Sequence, residues 1–165
     1  MVLVVLGVLV CDAFLVWRCW RSLQALAEVE AALTRTRQWL ADCEGSQPLE
    51  PLVQRLLPSA EDLMDARTER ERRAVRNQLT LEIQGWVNRG QLAFRLGWRA
   101  CVAAGMAGAL ALVTTRLEAA LLVIALSGAA ASVCWKFGRS ADSRKAAVRD
   151  RWKTLMASVA GSFSA

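Results

Sequence analysis

The chain has 165 residues, 55% of them hydrophobic, and a mean hydropathy of +0.27 although 22% of its side chains are charged. That is too apolar for a typical soluble domain of this size. The net charge of +6 gathers beside apolar runs, which favours contact with anionic lipid headgroups over nucleic acid. The chain has no histidine, which excludes Ser-His and Cys-His nucleophile pairs and mixed Cys/His metal sites.

Three apolar runs organise the chain: Met1 to Trp17, Ala100 to Thr115 and Ala119 to Trp135. The first has no basic residue ahead of it and no small-x-small cleavage site, so it reads as a retained anchor rather than a signal peptide. Arg18 and Arg21 follow it directly. Arg95 and Arg99 precede the second run, and Lys136, Arg139, Arg144 and Lys145 follow the third. The only charged residues between the second and third runs are Arg116 and Glu118. Cytoplasmic flanks carry the excess of Lys and Arg, so the N-terminus is placed outside and the C-terminus inside. Trp17, Trp20, Trp98 and Trp135 fall at the same ends, where an aromatic belt belongs. Each run is near the lower limit of about 17 residues for a span. The second reaches it when Leu92 to Trp98 continues into the run, with Arg95 and Arg99 snorkelling to the interface.

The pattern predicts an all-α membrane protein with three transmembrane helices, N-out and C-in, and long cytoplasmic helical extensions. Residues 1–20 form an anchor helix, 21–91 a cytoplasmic helical segment, 92–136 a transmembrane hairpin and 137–165 a basic cytoplasmic tail. The competing reading is a soluble bundle with three very apolar core helices.

Between the first two runs, Ser22 to Cys43 carries Leu23, Leu26, Leu33 and Leu40 at helical spacing and continues the anchor without Gly or Pro. Glu44-Gly-Ser-Gln-Pro48 is the clearest loop. Leu49 to Leu57 is a short apolar helical piece interrupted by Pro51 and ended by Pro58. Ser59 is a candidate N-cap with Glu61, Asp62 and Asp65 behind it, and the second span is read as the end of one helix starting there. Arg67-Thr-Glu-Arg-Glu-Arg-Arg73 is a solvated face with pairs such as Glu69 and Arg73, or a docking surface. Gly138 to Ala157 extends the third span and carries Ala141, Val148, Trp152, Leu155 and Met156 for packing on the middle segment.

No phosphate-binding glycine loop, dinucleotide fingerprint or credible carboxylate pair occurs. The chain is therefore read as a non-enzyme with no cofactor, no catalytic residue and no metal. Cys11, Cys19, Cys43, Cys101 and Cys134 form no C-x-x-C pair and read as small packing residues. Small residues recur four apart: Gly97, Cys101, Gly105 and Ala109; Ala100, Ala104 and Gly108; Ser127 and Ala131; Gly128 and Ser132. Such spacing lets helix backbones approach closely, and two stripes on one span call for two partners. One is the hairpin itself, and the expected second is a neighbouring copy, giving a homo-oligomer. Asp12, an acid inside the first run, either serves a function, through a polar partner, an ion path or a subunit contact, or approaches the cytoplasmic headgroups through a shifted span. Glu118 and, with it, Thr114 and Thr115 are candidates to line an outer vestibule or pore, against plainer roles as a turn acid and helix-end hydroxyls.

One anchor span, a cytoplasmic helical segment, a tight two-span hairpin and a basic tail resemble the MotA/TolQ/ExbB proton-channel family. Gly105-Met-Ala-Gly108 resembles its glycine-rich second span, and Glu118-Ala-Ala-Leu-Leu122 its acidic start to the third. The family's Pro-Leu-Leu-Gly-like motif is missing, and aliphatics around Val123 replace its threonine. The resemblance implies a pentameric ring around a single-span ExbD/TolR/MotB-like partner in the bacterial inner membrane. It also implies proton-motive-force coupling, with Glu118, Thr114 and Thr115 facing the lumen. The alternatives are a non-conducting scaffold subunit of a larger membrane complex and a holin-like pore former. The long middle segment speaks against the last.

Overall fold

The computed structural model describes residues 2–42, 49–66, 68–113 and 116–161. Among them every regular element is helical: α1 (Val2–Ala41), α2 (Pro51–Leu56), a 3₁₀ turn (Pro58–Ala60), α3 (Asp62–Asp65), α4 (Glu69–Val113) and α5 (Leu117–Gly161). The chain's three prolines, Pro48, Pro51 and Pro58, all fall between α1 and α3. Nothing therefore removes a backbone donor inside the three long helices. Those three helices, α1, α4 and α5, are each long and apolar enough to cross a membrane. The loop at Glu44–Pro48 and the hairpin positions Thr114 and Thr115 lie outside the described residues.

The sequence predicts a long helix starting near Ser59; the structure starts it at Glu69. Pro58–Ala60 is a 3₁₀ turn, α3 is a single turn, and Ala66 is extended at φ −68°, ψ 104°. Ser59 caps nothing, because its hydroxyl donates to Glu82 Oε1 at 2.6 Å. The start of α4 is set instead by Thr68 and Glu71. The Glu71 N–H donates to Thr68 Oγ1 (3.2 Å), and the Thr68 N–H donates to Glu71 Oε2 (2.9 Å). This reciprocal pair is a capping box, and it satisfies two backbone donors that the helix cannot.

The chain packs as two units, and α1, α4 and α5 each contribute to both. The first comprises 1–24 and 89–142; the second comprises 25–88 and 143–165. In the second unit, Leu33, Val53, Leu57, Leu79 and Leu155 are fully buried in one core. Val53 and Leu57 come from the proline-bounded segment, which is short yet supplies the centre of this core. Trp86 Nε1 donates to the Leu56 carbonyl (3.2 Å), tying that segment to α4. Of the predicted α1 stripe, Leu26 and Leu33 are buried, while Leu23 and Leu40 are half-buried. Glu69 pairs with Arg73 (3.1 Å) and with Arg76 (3.2 Å) on the exposed face of α4.

In the first unit, α1 and α5 run parallel and α4 runs against them. Three layers fix this register. Val8, Gly108 and Val123 meet near the hairpin. Asp12, Gly105 and Ser127 meet in the middle. Cys19, Gly97 and Cys134 meet at the arginine-flanked end. Around this core the apolar side chains point outward: Leu3, Met106, Leu110 and Leu121 are 85%, 61%, 70% and 58% exposed. A water-exposed surface of that kind is an aggregation liability, whereas lipid is a natural solvent for it.

Candidate functional site: a buried carboxyl in the membrane-type unit

Glycine positions this site. A Cβ built on Gly105 would lie 2.5 Å from Ser127 Cβ, so α4 and α5 approach more closely there than any larger residue permits. Gly97 plays the same part toward Cys19 Sγ (2.6 Å), and Gly108 toward Val8 (2.8 Å) and Val123 (3.2 Å). The glycines of both stripes are thus used inside the chain, Gly97 toward α1, Gly105 toward α5 and Gly108 toward both, while Ala100 and Ala104 of the second stripe remain partly exposed. Gly128 differs, because nothing approaches its Cβ position within 4 Å.

The close approach brings two polar side chains together. Ser127 Oγ donates to Asp12 Oδ2 at 2.6 Å, with Asp12 4% and Ser127 1% exposed. Asp12 is therefore enclosed among the helices. At about 1.5 Å per residue, it lies about 9 Å along α1 from the level of Arg18. That places it well inside the apolar run rather than at its charged edge. Asp12 Oδ1 is covered and has no hydrogen-bond partner among the described residues. The Cys101 thiol lies against Asp12 and against Cys134, and Cys134 lies against Cys19. Cys19 Sγ in turn reaches the Ala93 carbonyl at 3.6 Å. The three thiols, one from each long helix, are free. Thiols are weak donors, so this chain of contacts leaves Asp12 under-solvated.

The charged groups sort to the two ends. Arg21 lies over Trp17 (5.5 Å), Arg99 over Trp98 (5.6 Å) and Arg139 over Trp135 (4.3 Å). Stacked cation and indole at one level is the arrangement that suits a headgroup region. At the opposite end Glu118 is exposed in the first turn of α5. It borders an open groove with Val2, Val5 and Leu6 of α1. Its carboxylate sits at the positive end of the helix dipole, where an acid is favoured without further purpose. Thr114 and Thr115, read beside it as pore-lining, lie outside the described residues. Among the described residues no group of three or more His, Cys, Asp or Glu is disposed to hold a metal ion.

Sequence reading singled out Asp12 but missed Ser127 as its partner, treating that serine only as a small residue. One signal was available: Ser127 is a hydroxyl near the middle of an apolar run, the depth at which Asp12 sits in its own. No family model, no curated protein and no solved structure matches the chain.

Proposed function

We propose that this protein is a non-catalytic, multi-pass subunit of a larger complex in the bacterial inner membrane, with its N-terminus outside and its second unit in the cytoplasm. One observation carries the reading: α1, α4 and α5 all continue unbroken from apolar spans into a separately packed polar unit. The distribution of Lys and Arg supports the orientation. A protein mass well above the 18.1 kDa of one chain, with bound detergent and lipid subtracted, is expected from copies of the chain or a co-purified protein. A bare monomer, isolated from its native membrane by a mild detergent, sinks the reading. Labelling of Glu118→Cys from outside, and of Arg149→Cys only after permeabilisation, tests the orientation.

The second reading is a conducting, ExbB/TolQ/MotA-like ring with a single-span partner. The observation that favours it is Glu118, exposed beside an apolar groove at the hairpin end of the bundle. Proton flux into liposomes that falls on Glu118→Gln supports this reading. Flux indistinguishable from empty liposomes, with any candidate partner present, leaves the scaffold.

A further inference from the structure

Two open grooves lie along the seam between α1 and α5 on the surface of the first unit. The one near the hairpin has Val2 and Leu6 on one wall and Leu122 on the other, with Glu118 at its edge. The other has Leu9, Ala13 and Val16 on one wall and Leu126 and Ala130 on the other. It reaches Trp20, where the Trp20 and Phe137 rings pack 5.9 Å apart. From Val2 to Trp20 the helix rises about 27 Å. That is close to the hydrocarbon thickness of a bilayer, about 30 Å. The seam is thus mostly apolar over that length, and Asp12 forms part of the lining of the second groove.

Along that seam Glu118 is exposed at the hairpin end, whereas the Asp12 carboxyl is enclosed. Ser127 satisfies Oδ2, while Oδ1 is buried without a partner. A carboxyl at this depth costs a few kcal/mol on insertion scales unless it is paired. The walls beside it carry the small residues Ala13 and Ala130, which leave room for a close neighbour. The three apolar runs of this chain contain no Lys or Arg, so a second copy presents no cation at that depth. Oδ1 is covered by the chain's own atoms, so an incoming donor has to displace part of that cover and reach inward, which calls for a long side chain.

We propose that the α1–α5 seam docks a transmembrane helix of a different protein, whose mid-depth lysine or arginine pairs with Asp12. The proposal rests on the reading of the chain as a membrane-complex subunit, and it names the partner's chemistry. An apolar helix fills the seam, and its cation supplies the donor that Cys101 supplies only weakly. Ion pairing between spans fixes both register and partner choice, since an uncharged helix leaves the acid unpaired.

The test uses the full chain in nanodiscs and a fluorescent synthetic helix of about 20 Leu and Ala residues with one central Lys. Its controls carry Leu or Glu at the centre. The Lys helix is expected to bind about tenfold more tightly than the Leu helix, and the Glu helix more weakly than either. Asp12→Leu should erase the preference. Ala130→Trp, which fills the groove while leaving Asp12 and Ser127 in place, should block binding even where Asp12→Leu fails to fold. Ala107→Trp, on the exposed face of α4, should leave binding unchanged. Equal binding of the three helices, or binding insensitive to Ala130→Trp, overturns the docking proposal. Alkaline carbonate extraction of native membranes separates the two levels. Release of the chain overturns the membrane reading and the proposal together. Retention without discrimination among the helices overturns the docking alone.

Discussion

Ser127 Oγ sits 2.6 Å from Asp12 Oδ2, across 115 residues of sequence, and joins α5 to α1 through the middle of the apolar unit. Ser127→Ala removes the donor and leaves a buried carboxyl with neither oxygen bonded. The expected loss is about 1–3 kcal/mol, because an unmade bond costs more than a made one contributes. Asp12→Ala combined with Ser127→Ala should be closer to wild type than the sum of the single changes. A coupling of about 0.6–2 kcal/mol is expected from bonds between spans. Thermal unfolding of the four proteins in one detergent measures the cycle, and strict additivity refutes the contact.

Two glycines of the spans should respond in opposite directions. A methyl at Gly105 would lie 2.5 Å from Ser127 Cβ, and Ser127 is held by Asp12. Gly105→Ala must push α4 and α5 apart, at about 1–3 kcal/mol. At Gly128 nothing lies within 4 Å, so Gly128→Ala only improves helix propensity, by up to about 1 kcal/mol. Midpoints in the same detergent distinguish the two. Equal effects would place the helix contact elsewhere.

Thr68→Ala and Glu71→Ala each break the capping box at the start of α4. About 1 kcal/mol of local stability should be lost. Hydrogen exchange read by mass spectrometry should quicken over the first turns from Glu69 and stay unchanged around Gly105. Protection that is unaltered at Glu69 would move the helix start back toward Ser59.

Leu79→Ala opens a cavity in the second unit's core, beside Leu33, Val53 and Leu155. The expected cost is about 2–5 kcal/mol. Limited proteolysis of the membrane-bound protein should show earlier cleavage between Ala25 and Asn88. A protein as resistant as wild type would mean that this core does not hold the unit together.

Glu69 carries an ion-pair cluster with a readable pH dependence. The hydrogen bond from Arg73 holds its carboxyl below the ordinary value of 4.5, with Arg76 and Arg72 adding to the effect. A depressed folded value contributes stability that is present above the unfolded pKa and is lost as pH falls through the folded one. Glu69→Gln should therefore lower the midpoint slightly at neutral pH and make no difference in acid well below 4.5. A difference that grows on acidification has the wrong sign and would exclude the pairing.

Local chemistry made much of this protein readable from its residues. Three apolar runs, their arginine flanks and the confinement of all prolines to 48–58 specify three long helices, because hydropathy and proline act through each residue's own backbone and solvent. The pair Glu69 and Arg73 was legible because four residues on one helix are always neighbours. Asp12 was legible because an acid among aliphatics is conspicuous. The start of α4 was missed although Thr68-x-x-Glu71 was in view, since the acidic stretch after Ser59 offered a competing cap. That competition was decided by Glu82, which takes the Ser59 hydroxyl from far along the chain.

The sequence by itself determined which segments are helical and which side chains must leave water, since both follow from propensity and transfer free energy summed locally. Only the tertiary structure decided the register that sets Gly105 against Ser127, brings Gly108 between Val8 and Val123 and gathers Cys19, Cys101 and Cys134. It also left one oxygen of Asp12 unanswered. Those outcomes depend on how three helix surfaces interlock, and a helix's spacing says which face is small or apolar without saying which neighbour will meet it.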